Sequence, residues 1–292
     1  MTDRQDWRED RYGFLRWLVL PRDGWRDWWD RIYVDPELKT RLRAYAEFSL
    51  RHRAEFSPVG LPIHGIVLLY GPPGTGKSSL ARGLAQVVAE EFSAENGEVI
   101  FAEVDPHALP SQMLGESQRN AANLLEKSLP ELAAKGSPVI AVIDEVDSLV
   151  TSRDLAAGGR DPVDVLRATE AALRGIDYLA STVKNLLIVA TSNFESALDG
   201  ALLDRLDLAI EIGLPDVETI TEILMDTLTE LPAASVGVEE ARDLASSLVG
   251  HSGRNIRKIV LEALVTRTQD PSTPLSYGDL ESVVKRHGEE GS

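Results

Sequence analysis

The stretch GPPGTGKS, Gly71 to Ser78, fits the pattern G-x-x-x-x-G-K-[ST]. Glycines at that density let successive backbone N–H groups turn inward around an anion. A helix starting there adds the positive end of its dipole. The lysine can reach the outer phosphates of a nucleoside triphosphate, and the hydroxyl can hold Mg²⁺. Gly71, Pro72, Pro73, Gly74, Thr75, Gly76, Lys77, Ser78 and Ser79 are therefore candidate nucleotide contacts. A second cluster ends the run PVIAVIDEVDSL, where Asp144 suits a metal-holding carboxylate and Glu145 the base that orients an attacking water. A third run, NLLIVATSNF, ends in Thr191, Ser192 and Asn193, and Asn193 is the side chain expected to position that water. Asp147 is expected to be structural or to lie at an interface.

Two arginines extend the set. Arg205, in GALLDRLDLAIEI, lies too far along the chain to be assigned to its own site. It is expected either to reach the nucleotide of a neighbouring subunit or to pair with Asp204 or Asp207. A trans-acting arginine of that kind can contribute about 10³–10⁵ in rate. In GHSGRNIRKIV, Ser252 reads as an N-cap and Arg254 falls in the first helical turn. The helix dipole disfavours a cation there unless an anionic ligand is present. Arg254 is thus a candidate γ-phosphate contact, with Arg257 the alternative. None of the five histidines has metal-ligand spacing with another, so zinc is not expected. His64 and His251 read as structural. The segment GWRDWWDRIYV reads as core and subunit contact, with Tyr33 placed against an adenine.

These residues need elements to hold them. Apolar runs at Ile66–Tyr70, Val99–Val104, Val139–Ile143, Leu186–Thr191 and Leu208–Ile212 predict strands, the interior ones apolar throughout, as in a sheet covered on both faces. Helical patterns at Gly76–Phe92, Ser117–Ala134 and Pro162–Leu179 alternate with them. This predicts an α/β fold, a parallel sheet sandwiched by helices. Beyond Gly213 only helical periodicity remains, at Val217–Leu231, Val238–Leu248, Gly253–Thr268 and Tyr277–His287. The expected organisation is a short N-terminal segment (1–24) with an FLRWLVLP patch, a large α/β domain (25–213) and a small all-α lid (214–292).

Composition narrows the function. A net charge of −17 opposes nonspecific binding to nucleic acid or anionic lipid. Arg41, Arg43, Arg51 and Arg53 are expected on the solvated face of one helix rather than in a basic patch. There is no cysteine, which excludes disulfides and thiolate metal sites. The charged start MTDRQDWREDRYG lacks a signal-peptide pattern, and no apolar run is long enough to span a bilayer. A soluble cytoplasmic protein is expected.

In this order the motifs resemble the AAA+ ATPases over roughly Trp25 to His287. Within them the chain is similar to the pachytene checkpoint family, the HORMA-domain remodelling ATPases. The closer likeness lies in WWDRIYVDPELKTRL, DPVDVLRATEAALRGIDYL, TSNFESALDGALLDRLDLAIEIGLP and SGRNIRKI. The resemblance implies ATP and Mg²⁺ as cofactors and a homohexameric ring with nucleotide between subunits. It also implies pore loops that grip a polypeptide, at Met113 and Leu114 in SQMLGES and within RDLAAGGRDP. The family usually carries an aromatic where this chain has Met113. The family's eukaryotic members have an N-terminal adaptor-docking domain, whereas this sequence looks like the compact bacterial relatives that accompany HORMA proteins and nucleotide second-messenger synthases in antiviral defence. The implied activity is ATP-driven partial unfolding of a HORMA-domain protein, disassembling a complex that can include a nucleotidyltransferase. The rival readings are another AAA+ unfoldase, a DNA loader, which the acidic charge argues against, and a nucleotide-gated scaffold, which would not need Glu145.

Overall fold

The computed structural model describes residues 13–57, 60–95, 97–105, 116–148, 162–193, 198–231, 234–266 and 274–290. The chain divides into two compact units. The first holds the described residues up to Trp29, then Pro36–Gly71 and Lys77–Glu211. The second holds Asp30–Asp35, Pro72–Gly76 and the described residues from Ile212 onward.

The first unit is built on a six-stranded sheet: β1 (Phe14–Leu20), β2 (Ile66–Tyr70), β3 (Val99–Val104), β4 (Val139–Ile143), β5 (Leu186–Ser192) and β6 (Leu208–Glu211). The order across it is β1-β3-β4-β5-β2-β6. All neighbours are parallel except β1, which runs antiparallel to β3. Every residue of β3, β4 and β5 is buried, because helices cover both faces. Helices α2 (Pro36–His52) and α3 (Lys77–Ser93) pack on one face, following the short α1 (Asp27–Asp30). On the other face, Ile100, Ala102, Val139, Ala141 and Ile188 share a core with Leu124, Leu129, Ile176 and Leu179. That face is covered by α4 (Glu116–Asn123), α5 (Leu129–Ala133) and α6 (Pro162–Thr182). Each fully buried Leu or Val contributes about 1.5–3 kcal/mol, so the interior strands anchor the unit.

Three expectations need correction. The FLRWLVLP patch is an edge strand, so the sheet is parallel only from β3 onward. Its partner lies some eighty residues away, and the half-exposed β1 shows no strong alternation to reveal the pairing. The pairing is fixed by charge as well as backbone: Arg16 Nε donates to Glu103 at 2.7 Å, and Arg82 of α3 takes the other carboxylate oxygen. The helix expected over Ser117–Ala134 is interrupted by a π turn at Leu124–Ser128. There Leu125 meets Gly175 of α6 so closely that a Cβ on Gly175 would fall 2.5 Å from it. Finally, Arg53 is not on a solvated face. The α-helix ends at His52, and a 3₁₀ turn at Arg53–Glu55 swings Arg53 inward to 2% exposure. Its Nη1 donates to the His64 carbonyl at 2.6 Å and its Nη2 to the Val183 carbonyl. Gly65, at φ +77°, leaves the space for it.

The second unit contains α8 (Val217–Thr229), α9 (Val238–Ser247), α10 (Gly253–Thr266) and α11 (Tyr277–Glu290); the short α7 (Gly200–Leu203) belongs to the first unit. Its core joins Ile220, Leu224, Leu244, Ile256, Val260 and Leu280. Asp216 caps α8 through the Thr219 N–H at 2.8 Å. The unit is not wholly helical: Ala234–Ser235 and Leu275–Ser276 form a two-residue parallel bridge, too short to leave a periodic signal.

Candidate functional site

The GPPGTGKS loop runs from the end of β2 into the start of α3. Gly71, Gly74 and Gly76 have φ of +137°, +81° and +97°, values that only glycine adopts readily. Gly74 also has no room for a side chain, since a Cβ would lie 2.6 Å from Ser252 Oγ. Its carbonyl accepts the Arg254 N–H at 3.1 Å. Thr75 Oγ1 closes the loop by donating to the Pro72 carbonyl at 3.0 Å.

Lys77 opens α3 and is only 6% exposed. Its Nζ donates to the Gly71 carbonyl at 2.8 Å and to Asn193 Oδ1 at 3.0 Å. A buried ammonium needs such acceptors. Ser78 Oγ donates to Asp144 Oδ1 at 2.6 Å. Thr191 Oγ1 donates to the same carboxylate oxygen and accepts the Glu145 N–H at 3.1 Å. Glu145 follows directly, exposed, with φ +53°. A non-glycine residue in that region stores backbone strain, a feature that gathers at functional sites. Asn193 Nδ2 lies 3.5 Å from Glu145 Oε1. The carboxyl ends of β4 and β5 thus bring Asp144, Glu145, Thr191 and Asn193 beside Lys77 and Ser78. Thr191 was not singled out from the sequence. The signal for it lies in the register: Ile143 pairs with Ala190, which sets Asp144 beside Thr191.

Ser78 and Asp144 offer two hard oxygens within hydrogen-bond distance. Mg²⁺ is commonly held by one or two protein oxygens with phosphate and water completing the shell, so the donor set fits that ion. Among the described residues no group of three His, Cys, Asp or Glu side chains could hold a metal alone.

Arg205 pairs neither with Asp204 nor with Asp207. It forms a bidentate ion pair with Asp177 of α6, Nε to Oδ1 at 2.6 Å and Nη2 to Oδ2 at 2.8 Å. Asp207 instead accepts the backbone N–H groups of His64, Gly65 and Ile66 at 3.0, 2.6 and 3.0 Å. It also accepts the Tyr45 hydroxyl at 2.6 Å. Burial and this bond push the Tyr45 phenol well above its ordinary value.

In the second unit, Ser252 Oγ accepts the Asn255 N–H at 3.4 Å as the N-cap of α10, and Arg254 is exposed. Arg257 is engaged elsewhere, donating to the Arg31 carbonyl at 3.1 Å. Arg31 holds Asp226 through Nε and Nη2 at 3.0 and 3.1 Å. Tyr33 packs against the helical core; partial burial, then the nearby Asp226 carboxylate, raises its phenol pKa. Of the aromatic segment, Trp25 meets Phe101 edge-on at 5.0 Å, and Trp29 is buried with Lys39 over its ring. Met113 and Leu114, and all but the last residue of RDLAAGGRDP, lie outside the described residues. Among the described residues no helix is long and apolar enough to cross a membrane.

Residues 67–214 match the family model described as ATPase family associated with various cellular activities (AAA). Over 283 residues the chain is 40% identical to CD-NTase-associated protein 6 of Pseudomonas aeruginosa, covering 94% of this chain and 92% of that protein. It is 35% identical over 219 residues to the pachytene checkpoint protein 2 homolog of Oryza sativa subsp. indica, covering 75% of this chain but 46% of that longer protein. Among solved structures, a chain of the E. coli MS115-1 HORMA:CdnC:Trip13 complex matches with TM-score 0.79 and 19% identity, covering 94% and 95% of the two chains. C. elegans PCH-2 matches with TM-score 0.77 and 24% identity, covering 97% of this chain and 77% of that one. At such identities the structural likeness speaks for the fold. The polar cluster, the fold around it and the sequence likeness agree: this chain belongs to the AAA ATPases and, within them, to the family of CD-NTase-associated protein 6.

Proposed function

We propose that the chain is an ATP-driven, homohexameric, cytoplasmic remodeller that partly unfolds a HORMA-domain protein. In doing so it would disassemble that protein's complex with a nucleotidyltransferase and so regulate a bacterial antiviral second-messenger system. The observation that carries this reading is the 40% identity with CD-NTase-associated protein 6 over nearly all of both chains. The fold likeness to a chain solved with HORMA and CdnC partners supports it.

In this reading the loop from Gly71 to Ser79 wraps the phosphates, and Lys77 exchanges its present acceptors for phosphate oxygens. Ser78 and Asp144 would hold Mg²⁺, which supplies charge neutralisation on the phosphates. Glu145 orients the attacking water, and Asn193, already within reach of both Lys77 and Glu145, sets the carboxylate's direction. Tyr33 borders the adenine. Arg254 meets the γ-phosphate, which offsets the unfavourable position of a cation in the first turn of α10. Arg205 serves the nucleotide of the next subunit, a head-to-tail contact of the kind that closes rings. Met113 and Leu114 grip the client polypeptide. Partial unfolding is sufficient work, since whole domains have only about 5–15 kcal/mol of stability and local segments open for less.

The test is steady-state ATP turnover with and without a HORMA-domain protein, with Glu145→Gln as control. Turnover stimulated by that protein and abolished in the variant is the expected result. Basal turnover without stimulation removes the client from the reading. Wild-type turnover in Glu145→Gln removes the catalytic assignment.

A further inference from the structure

The guanidinium of Arg205 is held at all three of its nitrogens. Nε and Nη2 donate to the two oxygens of Asp177, and Nη1 donates to the Ala201 carbonyl at 2.6 Å. A guanidinium carries five N–H groups. Those three bonds leave one further N–H on Nη1 and one on Nη2. The pair is too open to be explained by stability: the side chains of Arg205 and Asp177 are 25% and 50% exposed, and exposed ion pairs contribute only about 0–1 kcal/mol. Asp177 belongs to α6, whereas Arg205 follows α7, so the carboxylate comes to the arginine from a separate element. The carboxylate of Asp207, two residues on in sequence, is committed to three backbone N–H groups and Tyr45.

We propose that Asp177 is the positioning residue of Arg205, fixing the plane of the guanidinium through its Nε–Nη2 edge so that its remaining N–H groups can serve the neighbouring subunit's phosphates. The inference rests on the trans role given to Arg205 above. Removing the charge leaves the arginine present but unaimed, and misplacement of a catalytic group by about 1 Å can cost on the order of 100-fold in rate.

The experiment is ATP turnover of Asp177→Asn and Arg205→Ala, each alone and each mixed with Glu145→Gln. The last variant lacks the water-orienting carboxylate but keeps an intact Asp177–Arg205 pair to lend. Asp177→Asn alone should lose about 10- to 100-fold in kcat, with the KM for ATP held within about twofold because its own binding loop is untouched. Mixing with Glu145→Gln should restore turnover for both variants, since a protomer carrying Asp177→Asn keeps its own Glu145 and borrows its neighbour's arginine. Asp177→Glu, which keeps the charge, should recover most of the loss. Complementation of Arg205→Ala but not of Asp177→Asn would overturn the positioning role and leave the trans arginine standing. Wild-type kcat in Asp177→Asn would also overturn it. Failure of Arg205→Ala itself to lose activity, or to be complemented, would instead remove the trans reading on which the inference stands.

Discussion

At the residue scale, single atoms are shared among several tasks. One oxygen of Asp144 receives both Ser78 and Thr191, and the Thr191 hydroxyl in turn receives the Glu145 N–H. This small network holds Glu145 at φ +53°, a conformation that surrounding bonds must maintain. Tyr45 and Asp207 form a second shared centre, and it makes the first unit sensitive to alkali. The phenol's ordinary value is 10.0 and the folded value is higher. Below pH 10 the group is neutral in both states and its contribution is intact. Above it the unfolded chain releases a proton that the folded chain keeps, and stability falls by up to about 1.4 kcal/mol per pH unit for that group. Urea unfolding between pH 9 and 11 should show this slope. Tyr45→Phe should flatten it by up to that amount while costing about 1 kcal/mol at neutral pH for the lost hydrogen bond.

At the element scale, α3 is the piece on which the site turns. It carries Lys77 and Ser78 in its first turn and buries Leu80, Leu84 and Val88 further along. Gly83, in its middle, looks like a defect, because alanine is favoured there by about 1 kcal/mol in an isolated helix. The packing reverses the sign. A Cβ on Gly83 would lie 2.6 Å from the backbone of Trp28 and Trp29, atoms that no side-chain rotation can move. Gly83→Ala should therefore destabilise the first unit by about 1–3 kcal/mol, measured by thermal or urea unfolding. Gly200→Ala is the control: it opens α7 behind the Asp199 cap with nothing among the described residues within 4 Å of the new methyl, and should leave stability unchanged or raised.

At the scale of the whole molecule, the sheet order puts β4, β5 and β2 side by side, so the motifs they carry converge although they lie far apart in the chain. The net charge of −17 bears on assembly, since protomers that repel need a specific bridging contact. A nucleotide gripped by one subunit and touched by the next would supply one. With ATP and Mg²⁺, Glu145→Gln should therefore have a mass in light scattering about six times the 31.9 kDa protomer. Arg205→Ala in the same variant should shift the distribution toward smaller species. A monomer under all conditions would contradict the ring.

The local chemistry was legible in the order of residues. Glycine spacing before Lys77, a strand ending in Asp144 and Glu145, and a cap at Ser252 are short-range patterns. Each arises from interactions within a few residues, and the four interior strands β3, β4, β5 and β2 announce themselves because both of their faces are buried. What the tertiary structure alone decided is which distant groups meet. The edge strand β1 depends on a partner far along the chain and on the charges of Arg16, Glu103 and Arg82. Arg53 turned inward because its helix ended one residue earlier. Arg205 found Asp177 instead of the carboxylates beside it in sequence, and Thr191 joined the site through strand register. Pairing across such separations is set by topology and by the competition of each polar group for its best buried partner, and neither leaves a periodic trace in the chain.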